Sequence, residues 1–118
     1  MDKDIRMVNV KDIIKGDTAV SAELGGLVFD QIYTALKQES SIALDFGGVN
    51  LITTAFLNAA IGQLYKDFTS EMLNAHLKIV NVAPDDKPLF NLVIERSKLY
   101  FKDKKGFDTA ANDAIYGG

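Results

Sequence analysis

The sequence lacks several of the residue types on which common active sites depend. Its 118 residues include 0 cysteines, 1 histidine, 2 prolines and 0 tryptophans. Without cysteine there is no disulfide, thiolate metal site, iron–sulfur cluster or cysteine nucleophile. With His76 alone, no site that needs two histidines can form. We therefore predict a binding protein rather than an enzyme, with no cofactor and no metal.

The length and composition are those of one folded domain, which we place at residues 1–118. Hydrophobic residues make up 47% of the chain and charged residues 25%, a balance typical of globular proteins. No apolar run approaches the roughly 20 residues of a membrane helix, and the charged start of the chain is not followed by the apolar core of a signal peptide. We therefore expect a cytoplasmic protein without a membrane span. The net charge of −3 argues against a nucleic-acid partner.

Apolar spacing predicts strands that alternate with helices, the pattern of an α/β fold. In chain order the segments are a strand at 5–10, a helix at 20–36, a strand at 41–46, a short extended segment at 49–52, a helix at 57–68, a strand at 77–82 and a helix at 89–96. We expect one mixed β-sheet of about four strands, with about three to four helices mostly on one side of it. Residues 101–118 are predicted to be either a tail or a short helix over 109–116 that Asp108 caps.

The ends of the predicted helices carry recognisable signals. Asp17 or Thr18 is expected to cap the first helix, and Pro88 suits the first turn of the last one. In the last helix, Leu89, Leu92, Val93 and Arg96 are predicted to share one face. The pair Gly25-Gly26 falls inside the first helix, where each glycine costs up to about 1 kcal/mol relative to alanine. Either that helix begins after the pair, or another segment packs closely against it.

Thr53 and Thr54 lie where an extended segment ends and a helix begins. A threonine at that place commonly caps the helix by accepting a hydrogen bond from a free backbone N–H, an effect of about 1 kcal/mol. A second interpretation is phosphorylation, because a phosphate at a helix N-terminus meets free N–H groups and a favourable dipole. The modification would then act on a partner rather than on the fold.

Asp45 is a carboxylate at the end of an otherwise apolar strand, followed by Gly47-Gly48. We expect it to accept hydrogen bonds from that loop or to reach water. The loop does not match a phosphate-binding motif in spacing or in a following lysine. His76 precedes a strand and is expected to be structural or exposed.

Charge is distributed unevenly along the chain. Residues 96–105 carry Arg96 and four lysines against Asp103, a local balance of 5 − 1 = +4, so the other residues sum to −7. Tyr100 and Phe101 lie within this basic stretch. It is interpreted either as a solvated helix C-terminus, where the dipole favours cations, or as a docking patch for an acidic partner or a nucleic acid. The sequence has no recognisable nucleic-acid-binding motif to support the last option.

The segment from Ile42 to Leu57 resembles the central strand, loop and helix of STAS domains, the fold of bacterial anti-sigma-factor antagonists. It reads Ile-Ala-Leu-Asp-Phe-Gly-Gly-Val-Asn-Leu-Ile-Thr-Thr-Ala-Phe-Leu. Leu77 to Val82, Ala83-Pro84 and then Pro88-Leu89-Phe90 are similar to the next strand and helix of that fold. The resemblance covers approximately residues 5–100, with the elements in matching order.

In the antagonists the motif ends in Asp-Ser-Ser-Gly, and its first serine is phosphorylated by a partner kinase that is also the anti-sigma factor. By position, Thr53 matches the aspartate, Thr54 the phosphorylated serine, Ala55 the second serine and Phe56 the glycine. The lost aspartate and glycine fit better the STAS-like subgroup of unassigned function. That subgroup shows Leu-Asp-Phe in the strand, here residues 44–46, and a phenylalanine that opens the helix, here Phe56.

The resemblance implies a non-enzymatic regulatory module that takes part in signalling and binds a protein, for instance an ATPase of the histidine-kinase type. Phosphorylation at Thr54, or at Thr53, would switch it. The alternative it implies is a module that senses a nucleotide or another anion at the helix N-terminus near Thr53 and Thr54. The predicted contact residues for a partner or ligand are Asp45, Gly47, Gly48, Thr53, Thr54, Phe56 and Asn58.

Overall fold

The computed structural model describes residues 5–113 of the chain, with side chains described for residues 5–102. Three parallel strands form the main sheet, namely β1 (Ile5–Asn9), β3 (Ser41–Asp45) and β5 (Leu77–Val80), and β3 lies in the middle. A second pair of parallel strands, β2 (Thr18–Ala19) and β4 (Leu51–Ile52), lies outside this sheet. The predicted α/β class is confirmed, and the predicted sheet is divided into these two small sheets, in which every described pairing is parallel.

Six α-helices accompany the strands within residues 5–113. They are α1 (Val10–Ile14), α2 (Ala22–Lys37), α3 (Thr54–Leu57), α4 (Leu64–Asp67), α5 (Ser70–His76) and α6 (Lys87–Asp113). A π-helical segment (Asn58–Gly62) joins α3 to α4, and a 3-10 turn (Pro84–Asp86) precedes α6. The described elements share one hydrophobic core, which extends from Val10 to Val93. No described helix combines the length and the apolar composition of a membrane span.

The predicted central strand is β3. It is flanked by a strand on each side, with Arg6 beside Ile42 on one edge and Leu77 beside Ile42 on the other. Ile42 and Leu44 are fully buried, as expected for a strand covered by its neighbours and by helices. Phe46 follows on the same face of the strand and meets Phe90 edge to face at 5.0 Å between ring centroids, which joins the sheet to α6.

Helix α2 begins later than the predicted cap. Its N-cap is Ser21, whose side chain accepts a hydrogen bond from the Leu24 N–H at 3.1 Å. The prediction of Asp17 or Thr18 as the cap was wrong, because Thr18 belongs to β2 and pairs with Leu51. The glycine pair lies inside the helix, and only Gly25 contacts another segment. A Cβ on Gly25 would lie 2.5 Å from the Phe56 carbonyl oxygen, whereas one on Gly26 would meet nothing within 4 Å.

The helical run from Thr54 to Asp67 contains the π-helical segment in its middle. The Gln63 N–H donates to the Asn58 carbonyl over 3.1 Å, the i to i+5 bond of a π turn. The predicted apolar stripe of this run is confirmed, since all five residues are buried: Leu57, Ala60, Ile61, Leu64 and Phe68. The extra residue per turn therefore does not move the stripe out of the core.

Helix α6 buries a different face from the predicted one. Phe90, Val93 and Ser97 are buried, whereas Leu92 is 41% exposed and Arg96 is exposed. The apolar cluster at 89–94 offers two candidate stripes, and contact with Phe46 selects the one that contains Phe90. The helix runs without a break to Asp113, so Asp108 does not cap a separate helix. The remainder of that prediction, residues 114–116, lies outside the described residues.

Candidate functional site

Two strand-to-helix junctions lie side by side at one end of the molecule. β2 leads into α2 and β4 leads into α3, and the two strands are parallel, with Ala19 beside Ile52. The Thr53 N–H donates to the Ala19 carbonyl at 3.1 Å and extends this pairing by one residue. Because both helices follow the parallel strands within a few residues, their N-terminal ends lie next to each other.

The Thr53 hydroxyl holds the two junctions together. It donates a hydrogen bond to the Val20 carbonyl at 2.8 Å and accepts one from the Phe56 N–H at 3.3 Å. Thr53 is thus the N-cap of α3, as the sequence predicts. Both functions of this hydroxyl are structural, so modifying it would remove a cap and a contact between junctions.

Thr54, the next residue, has a different environment. It is the first residue of α3, it is exposed, and its side chain makes no hydrogen bond with the described part of the chain. Val20 and Leu51 nearby are large apolar residues that are 37% and 52% exposed. Leu51 lies two residues before Thr53 and therefore on the same side of its strand, and Asn58 follows Thr54 by one helical turn. We call the exposed residues Val20, Leu51, Thr54, Ala55 and Asn58 the junction surface.

Phe56 does not belong to this surface, and its prediction as a contact residue was wrong. Its side chain is fully buried and lies in the hydrophobic core. A phenylalanine in the first turn of α3 is the large apolar residue that anchors this helix. It therefore contributes to stability and cannot reach a partner in the described structure.

Asp45, Gly47 and Gly48 lie at a separate place, the carboxyl end of the main sheet. One Asp45 carboxylate oxygen accepts hydrogen bonds from the Gly47 N–H at 2.8 Å and from the Asn81 side-chain amide at 3.0 Å. The Asn81 bond, followed by the Gly47 bond, holds the pKa of the Asp45 carboxyl below its usual value, and desolvation opposes them. Asp45 thus joins the ends of β3 and β5, in line with the expectation that it accepts bonds from the loop.

The backbone N–H groups of the loop after β3 are largely used within the protein. Gly47 donates to Asp45, Val49 to the Phe46 carbonyl at 3.1 Å, and Asn50 to the Asp17 carbonyl at 2.8 Å. Gly48 has φ +82°, and the Lys11 side chain crosses it so closely that a Cβ there would lie 2.7 Å from the Lys11 Cδ. The loop is a turn whose backbone is held by internal hydrogen bonds, and the positive φ at residue 48 requires glycine. It therefore presents few free N–H groups to an anion.

Several residues of this region were not identified from the sequence. Asn81 has the left-handed φ of 59°, which asparagine adopts more readily than most residues, and its position directly after a strand was the available signal. Val20 and Leu51 resemble core residues in sequence, whereas the structure leaves both side chains exposed. His76 accepts or donates a hydrogen bond with Ser41 at 3.0 Å, a structural position as expected. No cluster of acidic and histidine residues suited to a metal occurs among the described side chains.

Comparison with known protein families gives a match. The model of a family described as a STAS-like domain of unknown function (DUF4325) matches residues 25–87, which are 63 of the 118 residues. This range contains α2 from Gly25 onward, the central strand β3, the Asp45 loop and the whole run that begins at Thr53. Searches among curated proteins and among solved structures find no significant match. With more than half of its length matched, the chain belongs to this family of STAS-like domains, as the resemblance in the sequence predicted.

Proposed function

We propose that this chain is a non-enzymatic regulatory module that binds a protein partner through the junction surface and is switched by phosphorylation of Thr54. The contrast between the two threonines carries the proposal. The Thr53 hydroxyl is used in two hydrogen bonds, whereas the Thr54 hydroxyl is exposed and makes none with the described residues. A kinase can therefore reach Thr54 without opening the fold.

Electrostatics supports a switch at this position. A phosphate adds a charge of about −1.5 to −2, and at the start of a helix the unpaired N–H groups and the dipole stabilise it. The junction surface also carries the exposed apolar side chains of Val20 and Leu51. A partner that covers those side chains in the unmodified state would have to desolvate the phosphate, so phosphorylation would weaken its binding while the fold persists.

The partner is expected to be a signalling protein such as an ATPase of the histidine-kinase type, an expectation that rests on the resemblance to antagonists. The test is a pull-down from the native host with the wild-type chain, Thr54→Ala and Thr54→Asp, followed by mass spectrometry of the bound proteins and of Thr54 itself. We expect one partner to bind wild type and Thr54→Ala but not Thr54→Asp. Thr34→Asp, an exposed threonine on α2, is the matched control and should bind as wild type does.

A second variant separates the surface from the switch. Leu51→Asp introduces a charge on the junction surface without touching either threonine, and it should abolish capture of the same partner. Equal capture by wild type, Thr54→Asp and Leu51→Asp would contradict both parts of the proposal. If Leu51→Asp abolishes capture but Thr54→Asp does not, the result supports the docking surface and contradicts the phosphorylation switch.

The alternative of a nucleotide or anion sensor is less well supported by the geometry. The N–H groups of Gly47, Val49, Asn50 and Thr53 all donate to protein acceptors, which leaves the loop poorly suited to hold a phosphate. A thermal-shift panel of nucleotides tests it, since a ligand at 100 times its dissociation constant adds about 2.7 kcal/mol of stability. A nucleotide that raises the melting temperature by the corresponding several degrees would favour the sensor.

A further inference from the structure

A groove runs between α2 and the helical run that contains the π segment. Its volume is about 500 Å³, and its floor is formed by Gly26 and Ala59. Leu27, which is 46% exposed, and the half-buried Phe29 supply apolar walls. The remaining lining residues are Glu23, Asp30, Gln63, Lys66 and Asp67. We call this the α2 groove.

No contact within the described chain explains why residue 26 is a glycine. A glycine inside a helix costs up to about 1 kcal/mol relative to alanine, and the close contact that justifies Gly25 is absent at Gly26. Its lack of a side chain opens the floor of the α2 groove. A residue that violates local preference without helping the packing is expected at sites where something else binds.

The charges along the α2 groove are unbalanced. Glu23, Asp30 and Asp67 oppose Lys66 alone, a balance of 1 − 3 = −2. None of the three carboxylates forms an ion pair or a hydrogen bond within the described residues. The groove therefore suits an apolar segment that carries positive charge.

One side of α6, which borders a cleft shared with Tyr65 and Phe68, offers such a segment on the same chain. Arg96, Lys98 and Lys102 oppose Glu95, a balance of 3 − 1 = +2, and Lys98 lies 3.6 Å from Glu95. Leu99 lies among them and is 60% exposed, the second most exposed large apolar residue among those described. This is the described part of the basic stretch that the sequence singled out, and we call it the α6 basic surface.

We propose that the α6 basic surface of one copy binds the α2 groove of a second copy. The opposite charge balances and the exposed leucine on each side make the two surfaces complementary, with Leu99 above the open floor at Gly26. The two surfaces are different patches of the molecule, so the contact is head-to-tail rather than symmetric. It uses neither Thr54 nor Leu51 and stands independently of the proposed switch.

Sedimentation velocity of the full chain over a range of concentrations tests the proposal at two ionic strengths. We expect association at about 0.01 M salt and its loss at about 1 M, where the Debye length falls from about 30 to 3 Å. Asp30→Lys and Lys102→Glu place like charges in contact and should each weaken association by about tenfold or more. Gly26→Leu should do the same by filling the floor, without a change of charge.

Matched controls separate the specific contact from a general effect of net charge. Glu39→Lys, just after α2, and Lys87→Glu, at the start of α6, repeat the two charge reversals on neither surface and should associate as wild type does. Melting curves at high salt confirm that each variant is folded. A wild-type chain that stays monomeric at low salt, or controls that weaken association as much as the test variants, would overturn the proposal and leave the groove for another basic partner.

Mixing two defective variants gives the decisive result. Asp30→Lys is unsuitable for this mixture, because its reversed groove charge would attract the reversed charge of Lys102→Glu. Gly26→Leu, which fills the floor without a change of charge, retains a normal α6 basic surface, and Lys102→Glu retains a normal α2 groove. An equimolar mixture should therefore form a discrete one-to-one dimer that grows no further, although each variant alone is monomeric. Absence of that dimer would overturn the head-to-tail arrangement.

Discussion

Gly25 and Gly26 are adjacent in α2, yet substitution should change stability in opposite directions. For Gly25→Ala the new Cβ meets the Phe56 carbonyl oxygen at 2.5 Å and the Ala59 Cβ at 2.9 Å, and neither helix can yield without shifting backbone. We expect a loss of about 1–3 kcal/mol in the free energy of unfolding, as for other overpacked sites. Gly26→Ala meets nothing and should gain about 0.5–1 kcal/mol from helix propensity and a less flexible unfolded chain.

Urea denaturation of Gly25→Ala, Gly26→Ala and wild type measures the two changes in the free energy of unfolding. The experiment is done at high salt, because the proposed self-association is suppressed under that condition. The comparison is internally controlled, since both changes add one methyl group to the same helix. Equal stabilisation by both substitutions would show that Gly25 is not in close contact with the helix that follows Thr53.

The Asp45 carboxylate predicts a pH dependence of stability. Hydrogen bonds from Asn81 and Gly47 lower its pKa in the folded state below the ordinary value of an aspartate carboxyl. A carboxyl whose pKa is lower when folded stabilises the fold above its unfolded pKa, and this contribution is lost as the pH falls through the folded pKa. The stability of wild type relative to Asp45→Asn should therefore be constant near neutral pH and decrease below about pH 4.

Urea titrations of both proteins at several pH values give the difference directly. Asn81→Ala removes the larger cause of the shift and should flatten the pH dependence while it retains the carboxylate. A difference between wild type and Asp45→Asn that grows as the pH falls would contradict the assignment of these hydrogen bonds.

At the scale of elements, the π segment determines how closely α6 approaches. A Cβ on Gly62 would lie 2.7 Å from the Oγ of the buried Ser97 and 3.6 Å from a methyl carbon of Val93. Gly62→Ala is expected to destabilise the chain by about 1–3 kcal/mol. Ser97→Ala removes the atom that clashes, so Gly62→Ala should cost less in that background.

A double-mutant cycle by urea denaturation measures the coupling between Gly62 and Ser97. Residues in direct contact typically show coupling of about 0.5 kcal/mol or more. Additive effects would mean that the close approach of the two helices is not limited by this pair. Gly26→Ala combined with Ser97→Ala serves as the additive control, because Gly26 meets no atom within 4 Å.

The long periodic elements were predictable because burial imposes a period on their sequence. β3, the stripe from Leu57 to Phe68 and the start of α6 near Pro88 belong to this class. The short elements were not, because contacts with distant segments define them. α1 depends on the Asn9 cap, α5 buries only Leu73, and β2 exists because it pairs with β4.

The candidate site divides in the same way. Its location at a helix start follows from local sequence, and the capping function of Thr53 was predicted correctly. Which hydroxyl remains exposed depends on the Val20 carbonyl, 33 positions away along the chain, and no local pattern reports it. Phe56 was assigned to the surface by analogy of position, whereas its volume and apolar character match the core where it lies.

For the molecule as a whole, the hydrophobic core extends beyond the segment matched by the family model. Residues 25–87 exclude β1 and nearly all of α6. Nevertheless β1 pairs with the central strand over five positions, and Phe90 and Val93 of α6 lie in the same core as Phe56. We therefore expect the described elements to unfold in a single transition.

Phe90→Ala tests that expectation, because Phe90 lies outside the matched segment and meets Phe46 on β3 edge to face. Removal of a buried phenylalanine costs about 3–5 kcal/mol, a large share of the roughly 5–15 kcal/mol available to a domain. Leu92→Ala, two positions along the same helix and 41% exposed, should change stability by no more than about 0.5 kcal/mol. If α6 were an appendage to an independent domain, urea unfolding followed by far-ultraviolet circular dichroism and by tyrosine fluorescence would separate into two transitions in Phe90→Ala. Coincident curves shifted together to lower urea are expected instead, because the loss of Phe90 weakens the one core that α6 shares with the sheet.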